Sequence, residues 1–238
     1  MTNPAPPQAQ TRFHRDGHGM PGWPEISVGI LVALAFLALT PVVLLGVPES
    51  APELAGLALM AWSVVVPFAG FAAAALVRRR GWHAFGIRRV SWKWIVAAVA
   101  LGIGAFILKG FVNMGVMALT GFEENAQVSY YDAAGSGLLL LITTVATISI
   151  LVPIGEEFLF RGVLMRGLLR YGAVVAVVVS SIVFALFHGL NMALPSALVV
   201  GLVAGEVTRR SGSVWPAVVI HIINNLAVPI FVVLGGAG

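Results

Sequence analysis

Long apolar runs carrying few charges leave this chain very few ways to fold. They lie at about residues 26–47, 54–77, 94–119, 137–156, 173–190, 194–208 and 214–234. Most approach the ~20 residues a helix needs to cross a bilayer. Barrel strands would instead appear as ~10-residue segments of alternating polarity. Lipid offers the backbone no hydrogen-bond partner, so a spanning chain must satisfy its own N–H and C=O groups, and these runs do so as helices. Composition agrees, with 59% hydrophobic and 10% charged residues and a mean hydropathy of +0.96. The expectation is an all-α polytopic transmembrane bundle of about seven helices, without internal repeat or soluble linker.

A formal charge of +4 and a pI near 10.1 would suit nucleic acid only if the basic residues shared one soluble face. They sit at helix ends, and no nucleic-acid partner is expected. Arg78, Arg79, Arg80, Arg88, Arg89 and Lys93 fill one connection, whereas the first and third carry Glu49, Glu53, Glu123, Glu124 and Asp132. The positive-inside rule makes the basic connection cytoplasmic. Seven spans then place the N-terminus inside, together with Arg161, Arg166, Arg170, Arg209 and Arg210. The exception is Lys109, within the third span, which is expected to snorkel to the outer interface, with pairing to an acidic group in the bundle as the alternative. Residues 1–24, rich in Pro, Gln, Arg and His, read as a flexible cytoplasmic tail in which His14 and His18 do nothing. No cleavable signal is evident, and residues 25–238 read as one membrane domain. The absence of cysteine excludes disulfides, a thiol nucleophile and lipidation on cysteine.

Ionisable residues inside a bilayer are costly, so each is a functional candidate. They concentrate late in the chain, as Glu156, Glu157 and Arg161, then His188, then His221 with Asn225. Glu206 lies near a helix end. On a helix Glu157 and Arg161 are four apart with the acid first, the favourable order for a same-face ion pair, while Glu156 points about 100° away. Glu157 is therefore expected to support Arg161, leaving Glu156 as the free carboxylate suited to a general base. A helix-end ion pair with a spare acid is the plain alternative. If the fourth helix runs through Arg170 and turns at Gly172, Glu156 and His188 are each sixteen positions from the turn. A rise of 1.5 Å per residue then sets both about 24 Å from it, at matching depth and able to share a water. A core histidine with a backbone partner is the competing reading. His221 and Asn225 share a face and supply two donors suited to an oxyanion. Interhelical hydrogen bonding alone is the bland equivalent.

The set Glu156-Glu157-x-x-x-Arg161, Phe184-x-x-x-His188 and His221-x-x-x-Asn225, in order on consecutive membrane segments, resembles the CPBP family of intramembrane proteases. That family includes the type II CAAX prenyl endopeptidases and the bacterial Abi proteins. The resemblance covers about residues 137–230, the expected protease core. It implies hydrolysis of a peptide bond in a membrane-anchored peptide or protein, often near its C-terminus, at a multi-pass site in a bacterial-type inner membrane. By resemblance, Glu156 with His188 activates water, His221 and Asn225 stabilise the oxyanion, and Glu157 and Arg161 support the site. The cofactor is none or a single zinc ion. If a metal binds, Glu156, His188 and His221 are the ligands; against this, the His-Glu-x-x-His signature is absent and pairing His221 with Asn225 favours an oxyanion role. Asp16 and Asp132 cannot form a membrane aspartyl dyad, and Ser180 and Ser181 lie in a plain apolar helix with a packing role. The alternative from another class is a non-catalytic membrane protein, an immunity factor or transporter, using the same cluster for binding.

Overall fold

The computed structural model describes residues 19–48, 50–121 and 128–235. Most of the expected tail, with His14 and His18, lies outside them, as do Glu49, Glu123 and Glu124. The described residues form helices and no strands. In chain order these are α1 (Trp23–Leu44), α2 (Pro52–Arg78), α3 (Trp92–Thr120), α4 (Val128–Gly135), α5 (Leu138–Tyr171), α6 (Ala173–Leu186), α7 (Ala193–Ser211) and α8 (Trp215–Leu234). A short 3-10 turn, Trp82–Phe85, joins α2 to α3. The fold is thus a helical membrane bundle, with α1, α2, α3, α5 and α8 long and apolar enough to cross a bilayer.

The remaining expected spans, 173–190 and 194–208, fall on α6 and α7. Fourteen residues give α6 a length of about 21 Å, shorter than the ~30 Å hydrocarbon core. Helix α5 does not stop at residue 156 but runs on to Tyr171. Gly172, at φ 104°, makes the turn into α6, a conformation glycine adopts without steric cost. Helix α4, polar enough to read as a connection, packs against α2 and α5.

Small residues set the helix crossings, as lipid-embedded helices require close backbone approach. A Cβ on Gly70 would stand 2.7 Å from Gly29 O, so α1 and α2 touch backbone to backbone. A Cβ on Gly102 of α3 would meet Ile220 Cα of α8 at 3.2 Å, and one on Gly201 of α7 would meet Ser181 Cα of α6 at 3.3 Å. Ser180 and Ser181 are fully buried at that seam, both bonded back to Val177 O. Pro153, which has no N–H, sits in α5 between two π-helical stretches, Val145–Leu151 and Glu157–Met165. Such wide turns absorb a break in the i→i+4 ladder and recur at functional sites.

One end of the bundle gathers the basic segments. Glu25, fully buried, accepts from Arg80 Nε at 2.7 Å and from Gly22 N at 2.8 Å. Arg166 Nε donates to Ala84 O at 2.9 Å, Arg88 Nε to Gly212 O at 2.8 Å, and Arg170 to Pro21 O. Glu206 is paired with Arg209 and Arg210. Trp23 Nε1 donates to Tyr171 Oη at 2.7 Å. Lys109 departs from its expected snorkelling. Its Nζ donates to Asn224 O at 3.0 Å, beside the Phe106 ring. Helix α8 breaks at Leu226, and a helix end frees carbonyls. The carbonyls of Asn224 and Asn225 take donors from Lys109 and Ser149.

Candidate active site

The candidate residues converge between α5, the α6–α7 connection and α8. Glu157 and Arg161 form the expected ion pair, Nε to Oε2 3.1 Å, with both side chains fully buried. Arg161 also donates through Nη2 to Gly201 O at 3.1 Å and lies 4.4 Å over the centroid of the Phe184 ring. The glycine at 201 lets α7 approach closely enough for its carbonyl to serve the guanidinium. The buried cation is compensated by a carboxylate, a carbonyl dipole and a π-face, while its Nη1 has no hydrogen-bond partner among the described residues.

Glu157 has a second duty that its spacing from Arg161 does not reveal. Its Oε1 stands 2.9 Å from His221 Nδ1. Since the carboxylate only accepts, Nδ1 carries the proton and Nε2 faces outward. That Nε2 is 3.5 Å from Glu156 Oε2. The imidazole is therefore held between two carboxylates. The order is Arg161, Glu157, His221, Glu156, alternating in charge when His221 is protonated.

Gly155 sets where Glu156 stands. A Cβ at that position would fall 2.8 Å from the Phe68 ring and 3.0 Å from Pro67 Cγ of α2. Glu156 is largely buried, 15% exposed at the side chain. Its Oε2 has no hydrogen-bond partner among the described residues. A buried carboxylate oxygen without a donor is costly in structural terms and is the natural acceptor for a proton from substrate or water.

His188 lies just past the end of α6, where its Nδ1 donates to Phe184 O at 3.0 Å. That bond fixes the tautomer and leaves Nε2 with its lone pair. Asn191 Nδ2 caps the same connection through His188 O. His188 and Glu156 both line a cavity of about 240 Å³, and His188 and His221 both line a second of about 450 Å³. Asn225 lines both. One of its amide hydrogens goes to Ile148 O at 3.0 Å, leaving the other, since a primary amide has two.

Sequence reasoning paired Glu156 with His188 and reserved His221 for Asn225. The structure sets His188 on the cavity wall with Glu156 and brings His221 into contact with Glu156 and Glu157. Phe184 acts as a hub, its ring 4.8 Å from that of His188 and 5.5 Å from that of His221. Asn224 was passed over beside Asn225. It is buried and ties α8 to α3 by donating to Gly102 O at 3.1 Å. An amide on an apolar helix face was the available signal. Among the described residues no group of three His, Asp or Glu side chains is placed so as to hold a metal ion. Glu156, His188 and His221 thus do not converge as ligands in this arrangement.

The fold is a helical membrane bundle in which buried acidic, imidazole and amide groups meet at two cavities. Residues 138–227, from the start of α5 to the break in α8, match the family described as Rce1-like, type II CAAX prenyl endopeptidase Rce1-like. That match, over the segment carrying Glu156, His188, His221 and Asn225, supports the resemblance to the CPBP family of intramembrane proteases. No curated protein and no solved structure matches the chain.

Proposed function

We propose that the chain hydrolyses a peptide bond in a membrane-anchored peptide or protein by metal-independent glutamate catalysis. The observation that carries this is Glu156, which lines a cavity with His188 and whose buried, donor-less Oε2 lies 3.5 Å from His221 Nε2. Water entering there gives one proton to Glu156, while the His188 Nε2 lone pair orients it. Its oxygen attacks the scissile carbonyl carbon. The oxygen that becomes negative takes hydrogen bonds from protonated His221 Nε2 and the free amide hydrogen of Asn225, and each such donor contributes about 3 kcal/mol at the transition state. Glu156 then returns its proton to the leaving amine. Glu157, itself paired with Arg161, accepts from His221 Nδ1 and holds the ring in place. The basic end of the bundle favours the cytoplasm under the positive-inside rule, with the N-terminus on that side and the protein in a bacterial-type inner membrane.

The test is cleavage of a reporter peptide library by purified protein in detergent, comparing wild type with Glu156→Gln, with and without a zinc chelator. Cleavage lost in the variant and resistant to chelation supports the reading. Chelator sensitivity reversed by zinc assigns Glu156, His188 and His221 as ligands instead. A folded protein that cleaves nothing points to a binding role for the cluster.

A further inference from the structure

The larger cavity contains a cation that the hydrolytic chemistry does not use. Lys109 lines it together with His188, His221 and Asn225, yet it comes from α3, outside the segment that carries the family match. An ammonium has three hydrogens to donate. The described residues give this one a single oxygen, Asn224 O at 3.0 Å, and the Phe106 ring at 5.0 Å. None of the ion pairs among the described residues involves it. A cation within a membrane span is costly and normally finds an anion. Asn113, four residues on and so on the same face, lines the same cavity and is held in place by Ser196 Oγ at 2.9 Å. The bond to Asn224 O also ties the ammonium to the turn of α8 that bears His221 and Asn225.

We propose that Lys109 is the subsite for a carboxylate of the peptide substrate, with Asn113 beside it as a second donor. This rests on the hydrolytic reading for the occupant being a peptide. The carboxylate is either the chain terminus or an acidic side chain near the cut, and both satisfy the same chemistry. Lys109 acts as a specificity residue that holds the peptide while the groups on α5 and α8 react.

The experiment measures binding of a fluorescent peptide to full-length Glu156→Gln protein in detergent, which separates recognition from turnover. Three forms of one sequence are compared: free C-terminus, amidated C-terminus, and amidated with aspartate as the last residue. The free-carboxylate form is expected to bind about ten- to a hundredfold more tightly than the amide, the worth of a charged hydrogen bond. The aspartate form recovering that affinity identifies a side-chain carboxylate as sufficient, and failure to recover it identifies the terminus. Lys109→Met should erase the preference while leaving the amide's affinity unchanged, and Lys109→Arg should retain part of it. In the active protein, Lys109→Met should raise KM for the carboxylate substrate by a larger factor than it lowers kcat. Equal binding of carboxylate and amide by the Lys109 protein, absence of binding, or a preference surviving in Lys109→Met overturns the proposal. A Lys109-dependent preference in a protein that cleaves nothing removes the peptidase reading and leaves the subsite standing. Glu156-dependent cleavage without the preference does the reverse.

Discussion

Replacing Glu157 by alanine should damage the fold as well as the activity, whereas Glu156→Gln should damage activity alone. The Glu157 carboxylate is fully buried, lies 3.1 Å from Arg161 Nε, and accepts from His221 Nδ1 at 2.9 Å. Removing it leaves a fully buried guanidinium with the Gly201 carbonyl and the Phe184 ring. Breaking a buried pair by deleting one partner costs about 3–5 kcal/mol. For a chain of this size each kcal/mol moves a melting temperature by about 2–4 °C, so the loss is about 6–20 °C. In Glu156→Gln the shape is kept and the altered oxygen already lacks a donor among the described residues, which predicts a shift under about 3 °C. The double variant Glu157→Ala, Arg161→Met should recover part of the loss, because no uncompensated charge then remains. Thermal unfolding of the purified variants in one detergent checks this. Equal melts for Glu157→Ala and Glu156→Gln would refute the division of labour between the two acids.

Other predictions follow from the same geometry. Asn225→Ala should lower kcat by about 10²–10³ with little change in KM, the expected cost of one oxyanion donor, read by steady-state kinetics on any cleaved peptide. Gly155→Val should push α5 off Phe68 and Pro67, costing about 1–3 kcal/mol in a melt and lowering activity through the displaced Glu156. Gly70→Val, far from the site, should cost a similar ~1–3 kcal/mol by forcing α1 from α2. Any activity lost in that variant should return on cooling below its melt.

The sequence showed some of this directly and concealed the rest for physical reasons. The Glu157–Arg161 pair was legible because four residues on a helix is a local spacing. The α5–α6 hairpin was legible because glycine at 172 sits at the end of a long apolar run. By contrast, the contact from Glu157 to His221 joins positions 64 residues apart and depends on how α8 packs, which no local periodicity encodes. The same holds for Lys109, whose reach to Asn224 O depends on the Gly102 crossing and on the break at Leu226. Snorkelling was the reasonable expectation for an isolated helix, and neighbouring helices changed it. Glu25, which no local pattern singles out, is buried against Arg78 at the end of α2 and Arg80 just beyond it.

The arginines at the basic end each close a gap between segments by holding a main-chain oxygen: Arg88 at Gly212, Arg166 at Ala84 and Arg170 at Pro21. During synthesis the same positive charges instruct the insertion machinery which flank to retain. With the proposed orientation they are read twice, first by the cell as an address and later by the finished molecule as rivets. A neutral replacement at one of them would disturb two stages of the protein's life that are separated in time, and a lysine could preserve the first while failing the second.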